Sequence, residues 1–288
     1  MKCKLCHSCK IIKLKSINSV EIKSKYKIDI KRFFTKETFE HFKCLTCNLK
    51  FFDNVLTGDS LFYDQLQENT SYYEKDKVEF DYALSKIAQI NPSKILEIGA
   101  GRGYFAEKIK DSYNIKVSEF SQKSMKYLKE KNISFDEKHD TYDFICAFQV
   151  LEHVEDINSF LNYIDSKLNE NGSLLISVPN NDSEYFKNVF DVLDYPPHHM
   201  YQFSSKSLHY IGKKMNYSLK DYWTEPMRIE HYFNIIKAKR FKLMKAQPIK
   251  KTFFALFDYL LTPYFHDDNL LGHTHAILFK KEKKHEIS

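Results

Sequence analysis

The spacing of hydrophobic positions changes along the chain, and each change marks an element. From Ser71 to Ile90, "SYYEKDKVEFDYALSKIAQI", apolar residues recur at helical spacing, and "NPSK" then breaks the helix. "KILEIG" (Lys94 to Gly99) reads as a buried strand, "YFAEKIKDS" (Tyr104 to Ser112) as a helix and "IKVSEF" (Ile115 to Phe120) as a second strand. "SQKSMKYLKEKN" opens on Ser121, a favourable N-cap, and puts Met125 and Leu128 on one helical face. "YDFICAF" is a strand, "DINSFLNYIDSKLNENG" a helix stopped by Gly172, and "SLLISVP" a strand stopped by Pro179. Strand and helix alternate, which predicts a parallel sheet covered on both faces.

Further on, "SSKSLHYIGKKMN" predicts a helix, "YSLKDYW" a strand, and "THAILFKK" (Thr274 to Lys281) a late strand inserted into the sheet. Between the last two lies a long aromatic-rich insertion, Thr224 to Gly272. Before the alternating region, "VEIKSKYKIDI" (Val20 to Ile30) alternates apolar and polar residues at period two and reads as a strand of a hairpin.

Composition narrows the class. With 43% hydrophobic and 28% charged residues in 288, the chain is that of a globular protein able to bury a substantial core, not a disordered one. The net charge of +6 is spread along the chain, so nucleic acid is permitted and not indicated as a partner. No stretch approaches the roughly 20 apolar residues of a membrane span, and no basic start precedes a long apolar run; a cytoplasmic location is the expectation. That compartment argues against structural disulfides for the 6 cysteines and leaves metal binding or buried thiols.

The chain opens "CKLCHSC" and later gives "CLTC". Two C-x-x-C pairs are the usual way to place four thiolates round one zinc. Cys3, Cys6, Cys44 and Cys47 are the expected ligands, with Cys9 or His7 as substitutes and free reduced thiols as the alternative. The gap between the pairs is about twice that of a compact ribbon, which a strand hairpin can fill. Such a closed site would be structural, holding together a zinc-ribbon-like module over residues 1–60.

"ILEIGAGRGYF" concentrates three of the chain's 7 glycines at the end of a strand. There they permit positive φ, let a ligand approach the backbone and set the next helix's amino terminus against it. Glu97, two residues before Gly99, suits a ligand with a cationic amine or sulfonium better than a pyrophosphate. Glu119 closes the second strand, where a carboxylate can accept the hydroxyls of a ribose.

On "LEIGAGRG", "VSEF", "FQVLEHV", "NGSLLISVPN" and "PPHHMYQFSSKSLHYIGKKM", in that order, the segment from about Tyr72 to Leu219 resembles a class I S-adenosylmethionine-dependent methyltransferase. The cysteine pairs ahead of it and "HHMYQFS" within it resemble the branch that modifies small molecules, sugars and surface-polysaccharide precursors. The resemblance implies a doubly wound, mostly parallel seven-stranded α/β sheet over residues 61–288, with a helical insertion or lid at about 224–272. It also implies that Glu97 and the backbone of Gly99, Gly101 and Gly103 contact the methionine part of the cofactor. Glu119 would hold the ribose, Phe120 would lie against the adenine, and Phe148 and Gln149 would line the cofactor. The alternative for Glu97 is a carboxylate that only organises the loop. Tyr72 and Tyr73 would close over the cofactor, or pack in the core.

Methyl transfer needs a base only where the acceptor is a hydroxyl, an ammonium or a carbon acid. "LEHVED" offers Glu152 and His153, which cap a helix and pack on the sheet edge in the alternative reading. In the related quinone-biosynthesis O-methyltransferases this Glu-His pair, with a Glu three residues earlier, is associated with a metal; here that position is Gln149, a poor ligand. "YPPHHMYQF" presents His198, His199 and Tyr201 from a proline-stiffened loop, with His199 the first candidate for general base. "KKTFFALFDYLLTPYF" in the insertion could be a lid, a peripheral contact for a lipid-linked acceptor, or an ordinary buried helix. The reading is transfer of a methyl group from S-adenosylmethionine to a small molecule, a sugar, nucleotide sugar or lipid-linked precursor, with O-methylation favoured. Its rivals are an RNA methyltransferase with the zinc module reading RNA, and a non-catalytic scaffold that keeps the cofactor fold.

Overall fold

The computed structural model describes residues 1–68, 73–243 and 270–283. The amino-terminal part holds strands β1 (Ile11–Lys13) and β2 (Ile17–Asn18), helix α1 (Ser19–Lys25), a 3-10 turn at Lys31–Phe33, strands β3 (Thr38–Cys44) and β4 (Lys50–Asp53), and helix α2 (Ser60–Leu66). The alternation over Val20 to Ile30 does not become a strand. Asn18 accepts a hydrogen bond from the Val20 N–H at 2.8 Å and starts α1 instead, with Ile22 buried and Val20 turned outward. Local capping outweighs the period-two pattern.

The rest of the chain gives α3 (Val78–Ile90), β5 (Ile95–Ile98), α4 (Tyr104–Ile109), β6 (Ile115–Ser118), α5 (Gln122–Glu130), β7 (Ser134–Phe135), β8 (Tyr142–Phe148), α6 (Ile157–Lys167) and β9 (Leu168–Pro179). There follow α7 (Glu184–Asn188), a 3-10 turn at Val192–Asp194, β10 (Tyr201–Gln202), α8 (Ser205–Met215), β11 (Tyr217–Pro226), α9 (Ile229–Leu243) and β12 (Leu271–Lys281).

Among the described residues seven strands form one sheet in the order β11-β12-β9-β8-β5-β6-β7. The strands from β9 to β7 are parallel, whereas β12 is inserted antiparallel between β9 and β11. Alternation along the strands divides the core. Ile95, Val117, Phe144 and Cys146 join Phe80, Ala83, Ile87, Phe105 and Leu128 of α3, α4 and α5. Leu96, Ile98, Ile145 and Ala147 join Leu161 and Ile164 of α6 and Leu208 and Ile211 of α8. A sheet whose strands are apolar on both faces is covered by helices on both, as the near-continuous apolar runs predict.

Two boundaries differ from the sequence reading. The helix expected from Ser71 begins at Val78, and Tyr72 lies outside the described residues. The helix expected to stop at Gly172 ends at Lys167, because β9 already starts at Leu168 and the left-handed residue is Asn171, not the glycine. Of the insertion, β11 extends to Pro226 and α9 follows, while residues 244–269, including the apolar run from Lys250 to Phe265, lie outside the described residues. No helix among the described residues is long and apolar enough to cross a membrane.

The amino-terminal strands are joined to the larger part. Their sheet, β1-β3-β4-β10 with β2 on β3, ends on Tyr201 and Gln202, which pair with Phe51 and Lys50. Cys3, Leu5, Cys44, Leu49 and Phe51 share one core with Met200, Tyr201 and Phe203. The chain segment that carries His198 and His199 is thereby clamped between the two parts.

Candidate active site

A cavity of about 470 Å³ opens beyond the carboxyl ends of β5, β6 and β8, where the chain order in the sheet reverses. Glu97, Gly99, Glu119, Phe120, Phe148 and Gln149 line it, so the structure gathers these candidates from three strand ends into one wall. Gly99, Gly101 and Gly103 all have positive φ, between 53° and 72°. The close approach that the glycines allow is in part the protein's own: a Cβ on Gly99 would lie 2.5 Å from Val150 Cγ2, and one on Gly103 2.5 Å from Leu128 Cδ2. The loop is thus pressed against its neighbours as it turns from strand into α4.

Glu97 is 3% exposed and accepts a hydrogen bond from the Ala106 N–H at 3.1 Å, while its side chain also lines the cavity. Burial pushes its carboxyl up to about 8. Glu119 is folded back: one oxygen accepts from the Gly101 N–H at 2.7 Å and the other from the N–H groups of Phe120 and Ser121, both at 2.8 Å. It braces the glycine loop as well as facing the cavity. Phe120 stands 57% exposed at the rim, edge-on to Tyr63. Gln149, at the end of β8, has φ +56°, a conformation that costs a non-glycine residue free energy and is commonest where a site requires it. Its amide donates to Glu79 at 3.4 Å.

The same cavity is also lined by His153, His198 and His199, whose ring centroids lie 4.4 to 4.8 Å apart. His153 Nδ1 meets the His198 carbonyl at 2.8 Å, His198 Nδ1 the Leu193 carbonyl at 2.8 Å, and His199 Nδ1 the Asp194 carboxylate at 3.3 Å. Burial lowers the basicity of all three, His153 to about 4, so each is neutral near pH 7. Asp194 is itself held by Asn181 and Gln202. Glu152 is fully buried beside them; it does not cap α6, a role taken by Asp156. Tyr201 does not line the cavity, because its hydroxyl donates to the Glu155 carbonyl at 2.8 Å.

A family model described as a methyltransferase domain matches residues 68–221, more than half of the chain. The chain belongs to this methyltransferase-domain family. Its sheet order and inserted antiparallel strand are those of the class I fold, and solved structures of low identity are similar to it. The [4+2]-cyclase SpnF superposes with a TM-score of 0.51 at 10% identity, covering 80% of this chain and 99% of its own. The plantazolicin methyltransferase BpumL in complex with SAH gives 0.49 at 16%, covering 77% and 93%. A SAM-dependent methyltransferase from Archaeoglobus fulgidus gives 0.47 at 15%, covering 76% and 100%. No curated protein sequence matches the chain.

Several residues of the methyltransferase cavity were not singled out from sequence. Tyr63 reaches it from α2, Lys77 and Glu79 from the start of α3, Arg228 and His231 from the segment after β11, and His273 from β12. Nothing in the local pattern marks them, since tertiary folding alone brings them to the sheet end. Seven carboxyl groups (Glu74, Glu79, Glu97, Glu119, Glu152, Asp191, Asp194) and three permanent cations (Lys77, Arg102, Arg228) line the cavity, and burial raises Glu79, Glu97, Glu152, Asp191 and Asp194 above the ordinary carboxyl range.

The four cysteines meet where the β3–β4 turn reaches the start of the chain. Cys3 and Cys47 sulfurs are 3.6 Å apart and Cys6 and Cys44 sulfurs 3.4 Å, with all four within 4.8 Å of one another. Each C-x-x-C forms the same knuckle: His7 N–H donates to the Cys3 carbonyl and Asn48 N–H to the Cys44 carbonyl, and both residues are left-handed. His7 therefore serves the first knuckle through its backbone, as Asn48 serves the second. Cys9, the other substitute, is exposed and outside the cluster.

Proposed function

We propose that this protein is an S-adenosylmethionine-dependent methyltransferase that methylates an oxygen of a small hydroxylated acceptor, a sugar or surface-polysaccharide precursor. The observation that carries the reading is that one cavity combines two unlike sets of residues. Glycine-loop backbone and strand-end carboxyls form one set, the proposed cofactor end, and neutral buried histidines the other, the proposed acceptor end. In this account Glu97 and the loop hold the methionine part, Glu119 turns from Gly101 toward the ribose, and Phe120 covers the adenine. A carboxyl two residues before the first glycine favours a sulfonium cofactor over a dinucleotide pyrophosphate. The size of the cavity, within the range of small-molecule sites, favours a small acceptor over RNA.

Neutral imidazoles beside the acceptor can relieve a hydroxyl of its proton or hold a cation that does so. Positioning does the remainder: an acceptor oxygen held in line with the sulfonium methyl reacts as within one molecule. Tyr201, turned away, is assigned to holding the histidine segment against Glu155.

The cysteine cluster fits zinc by its donor chemistry and spacing, since tetrahedral Zn–S bonds of about 2.3 Å place sulfurs close to the separations found here. Cys3, Cys6, Cys44 and Cys47 would hold the ion as thiolates and leave no open position, so its contribution is to the fold of residues 1–60.

The test uses methyl-labelled S-adenosylmethionine and a cell extract divided into nucleotide-sugar, glycolipid and RNA fractions, with Glu97→Ala as the blank. Label in the sugar or lipid fraction is expected. Label in RNA alone would overturn the acceptor class, and no transfer to any fraction would favour a non-catalytic cofactor-fold protein.

A further inference from the structure

The histidine end of the cavity has more donors than a general base requires. One imidazole suffices to take a proton, whereas here one ring nitrogen from each of three histidines lies within 4.8 Å of the others. All three rings direct Nδ1 at an oxygen, namely the carbonyls of His198 and Leu193 and the carboxylate of Asp194. For a neutral imidazole that faces a carbonyl, as His153 and His198 do, this places the proton on Nδ1 and the lone pair on Nε2. Support of Nδ1 by a carbonyl or carboxylate is the arrangement found round metal-bound histidines, because it fixes the ring and raises its donor strength.

Glu152 supplies an independent observation. It is fully buried, lines the same cavity, and neither carboxylate oxygen has a hydrogen-bond partner among the described residues. Its Oε1 is 3.8 Å from His153 Nε2. Burial without donors pushes this carboxyl up to about 8, and a bound cation would hold it ionised. The Met200 and Tyr201 N–H groups both donate to the Glu152 carbonyl, at 2.8 and 3.3 Å, so the two donor-bearing segments are already tied together.

We propose that His153, His198 and His199, with the carboxylate of Glu152, bind a divalent first-row transition-metal ion at the acceptor end of the cavity. Imidazole-rich sites with one carboxylate suit zinc, iron, cobalt or nickel rather than magnesium or calcium. Gln149, whose amide turns to Glu79, is not a ligand, and two of the three imidazoles come from the loop after Pro196 and Pro197. The ion's purpose rests on the methyltransferase reading, although its binding does not. An acceptor hydroxyl bound to it would lose its proton to solvent more readily. The resulting oxygen forms the new O–CH3 bond as the S–CH3 bond breaks, and the electron pair of that bond stays on sulfur.

The test is a cobalt(II) titration of full-length, chelator-stripped protein, read by absorption and by equilibrium dialysis, with SAH binding measured on the same samples. Two kinds of bound ion are expected: one with thiolate charge-transfer bands from the cysteine cluster, and one with only weak visible bands. His198→Ala and His199→Ala should each weaken the second by about 100-fold or more and spare the first. Should either variant unfold, the unsubstituted cobalt protein decides: paramagnetically shifted imidazole N–H resonances from His153, His198 and His199 support the site, and their absence overturns it. Uptake at the cysteines alone, or a second ion indifferent to both substitutions, also overturns it. Loss of SAH binding with the second ion retained would instead count against the methyltransferase reading.

Discussion

The two ends of the cavity are built by different means. The proposed cofactor end comes from short continuous runs, Glu97 to Gly103 and Glu119 to Ser121, in which strand, turn and helix start follow one another. The proposed acceptor end is assembled from Glu152 and His153, the loop from Asp191 to His199, Arg228 and His231, and His273, which only the tertiary fold brings together. Local sequence can specify the first end; the second depends on every connection that leads to it. That difference fits a common cofactor site combined with an acceptor site free to vary, since a fold does not by itself determine the chemistry it hosts.

Substitutions at the two ends should therefore have separable effects. The largest is expected for His199→Ala, with turnover lowered by about 1000-fold while SAH affinity, measured by calorimetry, stays within about threefold. An equal loss in both would erase the distinction between the ends.

Next comes Glu97. With its carboxyl raised to about 8 by burial, a cofactor that binds only the ionised form gains affinity as pH rises. Between pH 6.5 and 8.5 SAH should bind about 20-fold more tightly, and Glu97→Gln should abolish that dependence. A flat profile in the unsubstituted protein would assign Glu97 to the Ala106 N–H alone.

Gly103→Ala tests the loop's backbone. An alanine at φ +72° costs about 1–2 kcal/mol, and its Cβ meets Leu128, so the melting temperature should fall by several degrees with weaker SAH binding. The smallest effect is expected for Phe120→Ala: loss of one ring face from the adenine should weaken SAH about fivefold and leave turnover at saturation unchanged.

The sequence foretells most of the sheet because the buried strands are near-continuous apolar runs and the helices between them keep one apolar face. It misleads where a short local interaction competes with pattern. Asn18 turns Val20 to Lys25 into a helix, and Asn171, rather than Gly172, takes the left-handed position. The cysteine pairs and the glycine-rich turn could be read from spacing, since both are local motifs, whereas the roles of Phe120, Phe148 and Gln149 come only from the family resemblance. Tyr63, Lys77 and His273 could not, because no periodicity announces which side chains will meet at a sheet end. Nor does sequence show that the Nδ1 atoms of His153 and His198 meet backbone carbonyls, the contacts on which the metal proposal turns.

The most direct measurement is a crystal structure of the full chain with SAH. The account predicts the amino-acid part of SAH against Glu97 and the Gly99 to Gly103 loop, the adenine beside Phe120, and the sulfur facing His153, His198 and His199. SAH bound elsewhere, or with its adenine among the histidines, would contradict it.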